Sequence, residues 1–247
     1  VVVGLIVGLL GVQLLHHPAR PSVASGNSAA GSRGNGTSPS TNPAPSATSD
    51  PSSSALSSLI VKPADVAPTM TVTLLPGGGG LSQPTLDICN GTFPSETRRT
   101  ARLQDVVLDE QGQQALSTEA VLYRDPAGAA QAFTELKAVV AACPSTPVPS
   151  PVGEPTAITK FNAPPDASWP QTPTVNRLAY DFTSTDSSGQ TYHSVAVYLQ
   201  RGRALMGVYF SQPDTAQIAV GGQTTISGIV GVFAGRMAAL PASVVGS

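Results

Sequence analysis

From Pro21 to Ser58 the chain carries one Leu, no Ile and no aromatic residue. Such a stretch cannot bury enough apolar surface to offset the entropy of ordering its backbone, so it reads as a disordered linker. Pro39–Ser46 extends locally and Gly31–Gly36 stays flexible, which as a coil gives a reach of about 35 Å. The linker confines folding to the residues beyond Ser58 and separates them from the N-terminal segment.

That N-terminal segment is apolar and uncharged: Val1–Leu15 contains no Asp, Glu, Lys or Arg. A membrane-crossing helix needs about 20 such residues. The chain starts at Val1, so the expectation is an anchor that is truncated at its N-terminus. A cleaved signal peptide is the competing reading, but Gln13-Leu-Leu-His-His-Pro-Ala-Arg20 is a poor cleavage site, and no Cys stands just after the run to take a lipid. A buried core helix has no neighbouring core to join. The expected organisation is therefore residues 1–15 as transmembrane anchor, 16–58 as linker, and 59–247 as a domain outside the membrane, at the cell surface.

Residues 59–247 are enough for one hydrophobic core. The formal net charge is −2 and charged residues make up 11% of the chain, well below the usual quarter. No basic patch interleaved with aromatics occurs, so a nucleic-acid partner has no electrostatic support.

Periodicity predicts alternating element types. Lys62–Pro68 forms a helical turn with Pro63 at its first position. Met70–Leu75 is a strand, ended by Pro76 and the flexible loop Gly77–Gly80. Arg99–Asp109 and Gln114–Arg124 are two arms of a hairpin turning at Glu110-Gln-Gly-Gln113. Asp125-Pro126 caps and opens a helix, buried along Ala129, Phe133, Leu136, Val140 and Cys143 and stopped by Pro144. After a Pro-rich passage come strands Asn176–Ser184, Gln190–Gln200 and Ala204–Ser211. A last helix, Thr224–Leu240, buries Ile226, Ile229, Val230, Phe233, Met237 and Leu240. Its Gly231-Val-Phe-Ala-Gly235 reads as close packing on the sheet. Hairpin-linked strands between helices define an α+β domain, an antiparallel sheet flanked by two main helices.

Cys89 and Cys143 are the two cysteines. An even count in an exported domain favours a disulfide, with unpaired core cysteines as the alternative. A metal site would need two further ligands, and His193 is the sole histidine of the domain. No metal or other cofactor is expected.

The string Leu86-Asp-Ile-Cys-Asn-Gly-Thr-Phe-Pro-Ser-Glu96, with Arg98-Arg-Thr-Ala-Arg102 behind it, resembles a Cys-containing segment of actinobacterial exported domains. Tyr123-Arg-Asp-Pro126, the Phe133–Cys143 helix with Pro144, and Trp169 keep the same order. Together they resemble the PknH-like extracellular sensor domain family, over about Leu59 to Leu240. The resemblance implies an antiparallel sheet with flanking helices, a ligand-binding cleft and Cys bridging. Kinase members of the family carry two disulfides, and this chain can make one. It holds no Gly-rich loop with its Lys, no H-R-D and no D-F-G, so it is not expected to phosphorylate anything itself.

Candidate chemistry is sparse. A Ser-His-Asp triad would have to use His193, on the strand face opposite Tyr192 and Ser194, and no G-x-S-x-G elbow exists. The bland alternative is a strand histidine facing solvent or a polar neighbour. Asp105, Asp109, Glu110 and Glu119 on the hairpin are the acids that glycan hydrolysis would draw on. Glu96, Arg98, Arg99 and Arg102 form the densest charge cluster, either an anion-binding rim or a solvated strand entry. Trp169 is either a ligand platform or a plug over the core. Asn35-Gly-Thr37 and Asn90-Gly-Thr92 fit glycosylation acceptors, the latter equally a turn. These features favour a membrane-tethered, non-enzymatic domain binding an envelope ligand or protein partner. The alternatives are a cell-wall hydrolase and a structural subunit of the envelope.

Overall fold

The computed structural model describes residues 50–146, 156–215 and 218–246. The expected anchor and residues 16–49 of the expected linker lie outside them. Among the described residues no helix is long and apolar enough to cross a membrane.

Seven antiparallel strands form one sheet in the order β1-β2-β3-β7-β6-β5-β4. They are β1 Thr71–Leu74, β2 Arg99–Leu108, β3 Gln114–Tyr123, β4 Thr156–Phe161, β5 Asn176–Asp186, β6 Thr191–Arg201 and β7 Ala204–Ser211. The β2–β3 turn forms where expected. The Asp109 carboxylate accepts from the Gln111 and Gln113 amides, and Gly112 takes φ 74°. The meander β4 to β7 folds back so that β7 lies against β3, with Leu116 opposite Phe210 and Leu122 opposite Ala204.

Side chains alternate across a strand, and here both faces are covered. On one face helix α1, Pro126–Ala141, packs over Val121, Tyr123, Tyr198, Leu205 and Tyr209. On the other, helix α2, Ile226–Ala238, joins the short helix α3, Ala242–Val245, and residues 56–61. They enclose Val107, Leu122, Val197, Met206, Val208 and Phe210. With both faces covered, nearly every residue of the hairpin arms is buried. Strands covered on both sides read as near-continuous apolar runs.

Asp125 caps α1, accepting from the Gly128 amide at 2.8 Å, and Pro126 occupies the first turn. Thr225 caps α2 in the same way, its hydroxyl accepting from the Gly228 amide at 3.1 Å.

Three expectations are corrected. The folded body begins before Leu59: Ser53–Ser58 forms a 3-10 turn, and the lone Leu of the low-hydropathy stretch, Leu56, is 1% exposed. Averaging over a window hid it, because Leu56 belongs with Leu59, Ile60 and Val61 in a single apolar clip. Strand β4 emerges from the passage taken as merely Pro-rich. The α2 glycines do not face the sheet: Gly231 and Gly235 are exposed, and the space where a Cβ would stand is open at both.

Candidate functional site

Of the Glu96–Arg102 cluster, Glu96, Arg99 and Arg102 are interior, while Arg98 is partly exposed. Register between β2 and β3 slips at Arg99/Ala101, which places Arg99 and Arg102 on the α1 face of the sheet. Arg99 donates to the carbonyls of Leu81, Gln83 and Glu96, to Thr85 Oγ1 at 2.7 Å, and to Glu96 Oε2 at 2.9 Å. Glu96 in turn accepts from the Thr85 and Leu86 amides. Arg102 bonds Glu119 and Gln104 and donates to the carbonyls of Gly77 and Gly78. The segment between β1 and β2 is thus wrapped around two guanidinium groups. Gly77–Gly80, expected as a flexible loop, is part of that clamp. A Cβ on Gly78 would stand 2.6 Å from the Gln104 carbonyl oxygen.

Asp87 lies beside this pair and is 8% exposed. Burial, then the nearby Glu119 and Glu96 carboxylates, push its pKa up to about 8, so it is mostly protonated at neutral pH. Burial likewise raises Glu119, against the pull of Arg102. Beneath them Tyr198 and Tyr209 meet edge to face with ring centroids 5.8 Å apart. Tyr209 lies over Gly207, where a Cβ would come within 2.2 Å of its hydroxyl.

Arg98 points elsewhere. It forks onto Asp125 at 2.7 and 2.8 Å and reaches Gln131 Oε1 at 3.1 Å, at the start of α1. The Gly128 amide and Arg98 hold the Asp125 carboxyl below the usual range.

Trp169 belongs to the opposite layer, half-buried against the α2-side core. Arg177 stacks on its ring at 5.4 Å and pairs with Asp166 at 2.9 Å. The same guanidinium donates to the carbonyls of Asp166, Trp169 and Pro170. One side chain therefore fixes the whole Asp166–Pro170 turn. Trp169 is half-buried over the α2-side core and does not meet the arginine cluster.

The hairpin acids do not converge. Asp105 bonds Thr118 on the α2 face, Glu119 faces α1, and Asp109 is spent on its turn. His193 bonds Asp181 through Nε2 at 2.8 Å and Asp214 through Nδ1. Both ring nitrogens are occupied by carboxylates in this arrangement, and no nucleophilic side chain bonds either of them. Among the described residues no group of three or more His, Cys, Asp or Glu side chains could hold a metal ion.

The sequence reading missed Asp87, Tyr198, Tyr209, Asp181 and Asp214. For Arg102 and Gln104 a signal existed: they alternate with Ala101 and Leu103 in a strand that both layers cover. Nothing local marks Asp181, which meets His193 through the pairing of β5 with β6, or Asp214, which reaches it from the turn after β7.

Cys89 and Cys143 are bonded, Cα atoms 5.4 Å apart, tying the β1–β2 segment to the end of α1. Cys89 and Asn90 both have positive φ, 58° and 51°. The next residue, Gly91, lies so close to Val139 that a Cβ would stand 2.4 Å from it.

No family model and no curated protein matches this chain. Among solved structures, it is similar to the extracellular domain of PknH from Mycobacterium tuberculosis. That match has 13% identity and a TM-score of 0.36 over 68% of this chain and 75% of that one.

Proposed function

We propose that this chain is a non-catalytic extracytoplasmic domain, tethered to a membrane by its N-terminal segment, that binds an uncharged envelope ligand or protein partner. The observation that carries this reading is the internal commitment of seven of the eight described arginines, all but the exposed Arg124. Arg98, Arg99, Arg102, Arg177, Arg201, Arg203 and Arg236 all bond groups of the fold itself. Groups so held are poorly placed to exchange partners with a ligand or to move protons in a reaction. The disulfide supports an oxidising compartment. Recognition falls to the turn around Trp169, an aromatic edge held rigid by Arg177, where little ordering entropy remains to be lost on binding.

The test is titration of the ¹⁵N-labelled chain with soluble cell-wall glycan fragments, and then mass analysis of the fragments. The expected result is amide shifts centred on residues 166–170, lost in Trp169→Ala, with the fragments recovered intact. Cleaved fragments, or shifts that survive Trp169→Ala, overturn the reading.

A further inference from the structure

His193 stands on β6 between two carboxylates that belong to different parts of the fold. Asp181 is on β5, the next strand. Asp214 lies just beyond β7, in the turn that begins the connection to α2. Backbone bonds bring these parts together: Gln212 donates to the His193 carbonyl at 3.0 Å, and Gln212 itself has φ 49°. The ring is 27% exposed, Asp181 21% and Asp214 75%.

Proton counting decides what this arrangement is. A neutral imidazole carries one N–H, and its other nitrogen is an acceptor. An ionised carboxylate only accepts. With both carboxylates ionised, the two contacts hold together only when both ring nitrogens carry protons, which is the imidazolium form. When the proton leaves, one carboxylate faces a lone pair and must withdraw. Asp181 is held in place by Asn162, whose Nδ2 donates to its Oδ1 at 2.7 Å and whose amide donates to its carbonyl at 2.9 Å. Among the described residues Asp214 makes no side-chain bond besides that to His193, and it is the one that lets go.

We propose that His193 is a pH-operated clasp that fastens the start of the β7–α2 connection to the sheet when protonated and releases it when neutral. The clasp is independent of whatever ligand the domain binds. The charged groups around the ring agree with it. Burial lowers its proton affinity, the two carboxylates raise it, and the net direction is upward. Lys160 on β4 shares this face, opposite Thr183, which is opposite His193. Among the described residues it is the one cation there not already paired, since Arg177 further along β5 is neutralised by Asp166. Asp186 and Tyr192 point to the other face, bonded to one another. The stabilisation is therefore complete in mild acid and disappears as pH rises through the raised pKa of the ring.

The test is an NMR titration of the full ¹⁵N-labelled chain from pH 5 to pH 9. The His193 ring is tracked beside His16 and His17, and hydrogen-exchange protection is measured at Gln212–Thr215. The expected midpoint for His193 lies above the ordinary value of about 6.5. Protection at Gln212–Thr215 should fall with the same midpoint, by about tenfold for each pH unit by which the pKa is raised. Asp214→Asn, at an exposed position, should lower the midpoint and leave those amides open at every pH, with the β6–β7 amides unchanged as a check on folding. A His193 midpoint at or below those of His16 and His17 overturns the clasp. So does protection at Gln212–Thr215 that ignores pH or survives Asp214→Asn.

Discussion

Single residues carry most of the polar logic of this fold. Arg102 and Glu119 are each 3% exposed at the side chain and neutralise one another inside the protein. Removing one partner of such a pair strands a buried charge, at about 3–5 kcal/mol, whereas replacing both by apolar groups is often neutral or stabilising. Arg102→Met should therefore lower the urea midpoint sharply, and Arg102→Met combined with Glu119→Leu should recover most of the loss. Equal midpoints for the single and double variants would show that the pair does not govern local stability. This pairing was only half legible in the sequence. The arginines were visible as a cluster, but their burial depends on a strand bulge and on a loop that closes over them. Neither leaves a trace in residue spacing.

At the scale of elements, α1 and the three strands β5 to β7 were readable because caps, turn residues and periodicity agree. The β1–β2 segment was not, since its 3-10 turns at Ile88–Asn90 and Pro94–Arg98 are held by distant side chains rather than by local preference. Ser95 shows this: its amide and hydroxyl both donate to Glu135 on α1. Gly231 and Gly235 stand exposed in a helix, make no close approach, and cost about 1 kcal/mol each relative to Ala. Gly231→Ala and Gly235→Ala should each raise the melting temperature, and together they should add. A fall in either would mean that the outer face of α2 meets something the isolated chain supplies.

The whole molecule stores protons. Asp87 is pushed up to about 8, chiefly by burial, and Asp105 to about 7 for the same first cause. In the unfolded chain both return to about 3.9. The folded state therefore binds more protons than the unfolded one between about pH 4 and pH 8, and stability falls as pH rises through that window. The raised His193 acts in the same direction. Asp50 acts in the opposite one: Arg203, the largest influence on it, holds its carboxyl below the usual range, so its contribution fails only in strong acid. Melting temperature measured across pH should be higher at pH 5 than at pH 8, and Asp87→Asn should flatten the alkaline end of the profile. A melting temperature that rises from pH 5 to pH 8 would contradict the assignment of neutral buried acids.

Arg203 has a mechanical consequence. From the β6–β7 turn it grips Asp50, where the described chain enters the body, and donates to the Val244 carbonyl near where it leaves. It also donates to the Tyr123 carbonyl at the end of β3. A pull arriving along the chain at Asp50 is thus handed to β7 and β3, the middle of the seven-stranded sheet, before it reaches either edge.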